Sequence, residues 1–363
     1  MTRISSCSRR SPHWPVYKMS RSGAILCIID GLTDESFRLE HYPHLAAMRL
    51  TGAWGEFETV PAGFSAESYP CIATLLGLPG PQLPRYARGY LEALGAGIDL
   101  ACDDLVLRAS WMLLDQEGRI SGVASPPKPV PQFTDASYYH LGDYKALVVL
   151  RGAAGALKDI TTYPPHAHAG RYLAEILPRG DKRLAGLVQQ SRVKDRVLIP
   201  WGQSVPCSLP LFHPQAAAVG GALIVQGLCR AVGMELHTGA RFTGDTDTDL
   251  PAKTGLALAL SEKNRFVLLH INGADEAAHR LDPLEKTSFL RQVDQKVVAA
   301  LQGAPGPVLV CADHGTSPAT GKHLRDLQPF LLRGHNLEGN LGTMPGTAAK
   351  KLLLEGIRWP SRS

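Results

Sequence analysis

Three apolar runs, far apart along the chain, each stop at a short polar turn containing glycine, and this repeated ending narrows the possible folds more than any other feature. Ala24 to Ile29 ends in Asp30-Gly31, Phe266 to Ile271 in Asn272-Gly273, and Val308 to Ala312 in Asp313-His314-Gly315. Continuous apolar runs of this length, without in-out alternation, are the pattern of strands buried on both faces of a parallel sheet. Between the second and third runs the sequence predicts a helix, with Asp282 as N-cap, Pro283 at the first helical position, and Leu290, Val293, Val297 and Leu301 as an apolar stripe. Strand, helix, strand implies a right-handed crossover and an α/β fold.

The middle of the chain has a different texture. From about Leu105 to Pro210 it shows short alternating runs, a hairpin-type turn at Asp115-Gln116-Glu117-Gly118, and the proline-rich stretch Pro126 to Pro131. A length of 363 residues accommodates two units. The expected division is a discontinuous larger domain over residues 23–104 and 236–363, with a smaller α+β domain inserted at 105–235. Residues 1–22 carry Arg, Ser and Pro but no acidic residue, and read as a disordered leader or as a mis-assigned start if translation begins at Met19.

Composition excludes several classes. The chain is 44% apolar and 20% charged, outside the range of intrinsic disorder. Its net charge of +5 comes from scattered Lys and Arg, which suits a small anionic substrate and argues against a nucleic-acid stripe. The most apolar segment outside the strands, Ala216 to Val225, is half the roughly 20 residues that a membrane-spanning helix needs. The seven cysteines form no C-x-x-C pair, and Cys27 and Cys311 sit inside apolar runs, so a reducing, cytoplasmic compartment is expected. Nothing in the sequence marks an oligomeric state.

In parallel sheets, ligands gather beyond the carboxyl ends of the strands. Those ends carry Asp30, Asp313 and His314; Asp275 and His279, four residues apart on a predicted helical turn, follow the middle strand; and His323 lies nine residues past His314. Singly, each is an ordinary turn, cap or surface pair. Together, three carboxylates and three imidazoles at one sheet edge suit a divalent cation such as zinc or manganese. Asp245-Thr246-Asp247-Thr248-Asp249 mimics a calcium loop, but Leu250 and Leu256 stand where such a loop needs Gly and Glu, so it is expected to be a solvated loop. For a nucleophile, Ser68 is predicted as the N-cap of an apolar helix with Pro70 just inside and Gly77 at its end, where the helix dipole favours an alkoxide; Ser65 is the reserve.

Taken in order, Asp30-Gly31, the Ser68 helix ending in Leu75-Leu76-Gly77, the run Arg88 to Ile98, Asp275-x-x-x-His279, Asp313-His314 and His323 resemble the cofactor-independent phosphoglycerate mutases of the archaeal type, over roughly residues 23–110 and 197–335. That family lies in the alkaline phosphatase superfamily. The resemblance implies an alkaline-phosphatase-like parallel sheet flanked by helices, an inserted substrate domain, and two divalent metal ions (Mn, Zn, Mg or Co). It implies that Asp275, His279 and His323 hold one ion and that Asp30, Ser68, Asp313 and His314 hold the other. Ser68 would be the catalytic nucleophile, with Lys253, Arg108, Arg88 and His166 as substrate-binding residues. The implied reaction is the glycolytic interconversion of 3-phosphoglycerate and 2-phosphoglycerate through a phosphoserine; the alternative is a phosphatase or phosphotransferase acting on another small phosphate ester. The implied partner is a small phosphorylated metabolite, with no nucleic acid and no membrane. The chain departs from the family at Tyr69, Ala146 and Ala167, which bears on substrate identity more than on phosphoryl transfer.

Overall fold

The computed structural model describes residues 22–212 and 215–356, apart from the side chain of Ala167; the leader expected at 1–22 lies, except for Ser22, outside the described residues. The three apolar runs form adjacent strands. Ala24–Ile29 pairs in parallel with Phe266–Ile271 on one side and with Val308–Cys311 on the other. They are the centre of an eight-stranded sheet in the order Gly339–Pro345, Ala53–Glu58, Gln328–Arg333, Val308–Cys311, Ala24–Ile29, Phe266–Ile271, Ala216–Val219 and Glu235–His237. Gln328–Arg333 runs antiparallel to both of its neighbours, so the sheet is mixed.

Alternate residues of the central strands feed two cores. Leu26, Ile28, Leu268 and Leu309 pack beneath the helices Ser68–Leu75, Leu223–Ala231 and Ala348–Glu355. Cys27, Ile29, Leu269 and Val310 face the helices Pro43–Thr51, Leu250–Ser261 and Pro283–Val293. Two buried faces explain why these strands lack polar alternation, and each fully buried leucine contributes about 2 kcal/mol. The crossover helix begins as expected: the Asp282 carboxylate accepts from the backbone N–H groups of Leu284 and Glu285. It does not stay regular, widening to a π-turn over Asp294–Val298. There the buried Asp294 carboxylate accepts from the N–H groups of His44 and Leu45 and so caps the helix Pro43–Thr51.

A second, five-stranded antiparallel sheet is built from Leu105–Leu114, Ile120–Val123, Ser137–Gly142, Lys145–Leu150 and Arg196–Ser204. Helix Lys182–Ser191 covers it through Leu184, Leu187 and Val188. Residues 216–235, expected in the insert, lie elsewhere: Ala216–Val219 pairs in parallel with Phe266–Ile271 in the large sheet, and helix Leu223–Ala231 packs on that sheet. The short apolar run Ala216–Val219 is buried throughout, as a strand covered on both faces of the large sheet must be. No helix among the described residues is long and apolar enough to cross a membrane.

Candidate metal centre

The carboxyl ends of the three central strands open onto one cluster, buried at Asp30, Asp313 and His314 and exposed at His279. Gly31 makes this possible: its φ is +68°, and a Cβ there would stand 2.7 Å from the Asp275 Cα, so only glycine lets the turn after Asp30 lie against the helix Gly273–His279. That helix presents Asp275 and His279 together, with His279 Nε2 3.3 Å from Asp275 Oδ2. His323, on a two-residue strand paired with Gly315–Thr316, brings Nε2 to 3.4 Å from Asp275 Oδ1 and to 3.0 Å from His279 Nε2. Its other nitrogen, Nδ1, bonds the Ala66 carbonyl at 2.6 Å, and His279 Nδ1 bonds that of Gly321 at 2.8 Å, so both imidazoles are held from behind.

The other half of the cluster lies deeper. His314 Nε2 is 3.6 Å from Asp30 Oδ1, 3.4 Å from Asp313 Oδ2 and 3.5 Å from the Ser68 hydroxyl, which is 3.4 Å from Asp30 Oδ2. The His314 ring stacks on His323 at 3.9 Å, joining the halves. All seven positions singled out at the strand ends and at Ser68 therefore converge. Two sets of donor atoms, Asp275 with His314 and His323, and Asp30 with Asp313 and His314, each lie within 4.8 Å of one another.

Several features show that this cluster fits a cation. Asp30, Asp313 and His314 are fully buried, yet Asp30 Oδ1 and both Asp313 oxygens have no hydrogen-bond partner. Such groups are costly unless something pairs them. Burial, then the charge of Asp275, pushes the Asp30 carboxyl well above the usual carboxylate range, and burial with the Asp30 charge does the same to Asp313. Burial, followed by the neighbouring His323, pushes His314 down to about 3 and so keeps it neutral, as a ligating imidazole must be. Asp275 differs: burial would raise it, but His279 and His323 hold it well below the usual range. The spacing fits as well. Ligand atoms about 2.0–2.1 Å from a tetrahedral ion stand about 3.3 Å apart, and the contacts within this cluster run from 3.0 to 3.6 Å.

A family model described as the metalloenzyme superfamily matches residues 227–356, and one described as 2,3-bisphosphoglycerate-independent phosphoglycerate mutase matches residues 50–125. Curated mutases of that name from Methanoculleus marisnigri and Methanopyrus kandleri are 26% and 27% identical, covering 84% and 80% of this chain and the same shares of their own. Over most of its length the chain is similar to cofactor-independent phosphoglycerate mutases. Two solved structures share its fold at 20% identity: a Pyrococcus horikoshii protein (TM-score 0.72, covering 92% of this chain and 97% of that one) and the cofactor-independent phosphoglycerate mutase of Thermoplasma acidophilum (0.53, 91% and 98%). The metalloenzyme match, together with the two donor sets, supports use of divalent metal.

The structure revises some expectations. Ser68 is not the N-cap: Glu67 takes that position without a side-chain cap bond, and Ser68 is the first helical residue. Its hydroxyl is thereby released from capping and turns toward Asp30 and His314. Ser65 is exposed. Arg108 and His166 line a small pocket with Glu92, Lys145, Ala146 and Trp201. The Arg108 guanidinium stacks on Trp201 at 4.1 Å, the His166 ring meets the same indole edge-on at 5.0 Å, and burial with the charge of Arg108 lowers His166 to about 4. Arg88 is absent from the pocket lining, held by Glu67 at 2.6 Å and Glu92 at 3.3 Å. Lys253 is buried, with its ammonium on the Thr243 carbonyl at 2.7 Å, and burial lowers it to about 8. Asp245, in the calcium-loop mimic, instead makes a two-pronged ion pair with Arg280.

Three residues were missed by sequence reasoning. Thr316 donates its hydroxyl to Asp275 Oδ1 at 2.6 Å. Lys286, fully buried on the crossover helix, ties the loops after two central strands together through the Thr33 and Thr316 carbonyls and Asp34. His270 sits inside a strand, 3.4 Å from Asp30. Only His270 left a signal: an imidazole in an otherwise apolar run.

Proposed function

We propose that this protein interconverts 3-phosphoglycerate and 2-phosphoglycerate without a bisphosphate cofactor, through a phosphoserine formed on Ser68 beside two divalent ions. The observation that carries this reading is the Ser68 hydroxyl set within 3.5 Å of Asp30 and His314, next to buried carboxylate oxygens that lack partners. The names of the curated relatives support the same reaction.

In this reading Asp30, Ser68, Asp313 and His314 hold one ion, and Asp275, His279 and His323 the other. Bound there, the ions supply a lowered pKa for the serine hydroxyl and charge neutralisation for the phosphoryl oxygens. The chain's own contribution is positional. Ser68 sits in the first turn of its helix, whose N-terminal dipole favours both an oxyanion and a phosphoryl group. His314 is neutral and leaves its lone pair available. The five-stranded unit supplies the substrate-binding face, with Arg108 and His166 toward the glyceryl end of the substrate. Arg88 acts through Glu92, which it shares with Arg108, and Lys253 acts from beneath the site. The pocket volume of about 40 Å³ holds little more than one water. Lys145, 3.6 Å from Glu276 of the helix Gly273–His279, bridges the two units beside that pocket. Closure with glycerate retained and water excluded gives a mutase; admission of water gives a phosphatase. Ala146, lining the pocket without a polar side chain, is the feature that favours the second outcome.

The test is an enolase-coupled assay on manganese-loaded protein with 3-phosphoglycerate and no bisphosphate, with inorganic phosphate followed in parallel. Formation of 2-phosphoglycerate is expected. Phosphate release without isomerisation would assign the site to a phosphatase, and absence of both would remove the reading altogether.

A further inference from the structure

His270 has no role in the mechanism above, yet it is a fully buried polar side chain beside the site. It lies at the penultimate position of the strand Phe266–Ile271, paired beside Ile28 of Ala24–Ile29, and its exposure is 0%. Neither ring nitrogen has a hydrogen-bond partner. A buried imidazole with two idle polar atoms is costly to the fold, whereas leucine at this place would carry no such penalty. Its strand neighbours on the same face, Phe266 and Leu268, are apolar core residues. Folding alone gives no reason for a histidine here.

Asp30 provides one. Its two oxygens look in different directions: Oδ1 toward His314, in the donor set with Asp313, and Oδ2 toward Ser68 and His270 Nε2, the latter at 3.4 Å. A carboxylate can turn about its terminal bond, and Ser68 and His270 both stand 3.4 Å from Oδ2. We infer that His270 is a positioning residue for Asp30: it donates Nε2–H to Oδ2 and so holds Oδ1 toward the position the cation occupies between Asp30, Asp313 and His314. Side chains that hold metal ligands from behind in this way typically contribute 10- to 100-fold to metal affinity. The inference rests on the reading of Asp30 as a metal ligand.

The experiment measures manganese binding calorimetrically to full-length, chelator-stripped protein, and the thermal midpoint of the same metal-free samples, for the parent, Asp30→Ala, His270→Leu and His270→Gln. His270→Leu is expected to weaken binding about 10- to 100-fold without lowering the metal-free midpoint, because it removes two unpartnered polar atoms from the core. A histidine that served only packing would show the reverse. The amide of His270→Gln reaches about as far as Nε2 and should restore most of the lost affinity. Parent-like affinity in His270→Leu, or no recovery in His270→Gln, overturns the inference. If Asp30→Ala also binds like the parent, the metal reading of Asp30 itself fails; if Asp30→Ala binds weakly while His270→Leu does not, only the role of His270 is lost.

Discussion

Glu92 joins the two units of the structure, and its neutralisation gives a sharp test of how they are held. Its carboxylate accepts from Arg108 Nε at 2.8 Å and Arg88 Nε at 3.3 Å, while Arg88 Nη1 reaches Glu67 Oε2 at 2.6 Å, next to Ser68. The Glu92 side chain is 9% exposed and that of Arg108 16%, so Glu92→Gln leaves a largely buried guanidinium without its counter-charge and beside a like-charged neighbour. Removing one partner of a buried pair costs about 3–5 kcal/mol. Arg88 is 31% exposed and keeps Glu67, which argues for the lower end, about 3 kcal/mol. At roughly 2 °C per kcal/mol for a long chain, the thermal midpoint should fall about 6 °C at pH 7. The pH dependence follows from the sign of the shift. Burial would raise the Glu92 carboxyl, but Arg108 and Arg88 outweigh it and hold the folded-state pKa below the ordinary glutamate value. The stabilisation is therefore complete above the unfolded-state pKa of about 4.3 and disappears as pH falls through the folded-state value. Melting curves of parent and variant in chelator, followed by circular dichroism at several pH values, should converge on acidification. A midpoint change under about 1 °C at pH 7, or a gap that widens toward low pH, would refute the reasoning.

Two further outcomes are expected. Ser68→Ala should abolish turnover and trapping of a phosphoenzyme, while Ser65→Ala, at an exposed position, should retain both; the opposite pattern would move the nucleophile to Ser65. Asp313→Asn removes a fully buried carboxylate whose oxygens lack partners, so in chelator at pH 8 the variant should melt higher than the parent by about 2–6 °C, while its bound manganese, counted by elemental analysis, falls. A lower midpoint would show that the charge is compensated by the protein itself.

Much of the fold was legible because the signals are short in range. A strand buried on both faces must be apolar throughout, so Ala24–Ile29, Phe266–Ile271 and Val308–Cys311 announce themselves and place Asp30, Asp275, Asp313 and His314 at one edge. The four-residue spacing of Asp275 and His279 is fixed by helix geometry before any packing is considered. The cap at Asp282 is equally local.

Other features depend on which surfaces meet, and no stretch of sequence encodes that. Whether Ser68 caps its helix or faces Asp30 depends on a strand end 38 residues earlier. Arg88 and Arg108 look alike in sequence; only the packing of helix Arg88–Gly95 on strand Leu105–Leu114 gives Arg88 two carboxylates and leaves Arg108 on the pocket wall. Ala216–Val219 reads as loop-flanked apolar residues until Phe266–Ile271 offers it a pairing edge. His270 appears as a blemish in a strand until Asp30 is found beside it. The sequence by itself determined the three central strands and the polar residues at their ends, since periodicity and caps act within a few residues. The tertiary structure alone decided which contacts these side chains make, and brought Thr316, Lys286 and His270 to the cluster, because hydrogen bonds and ion pairs act over about 3 Å between groups that the chain sets far apart.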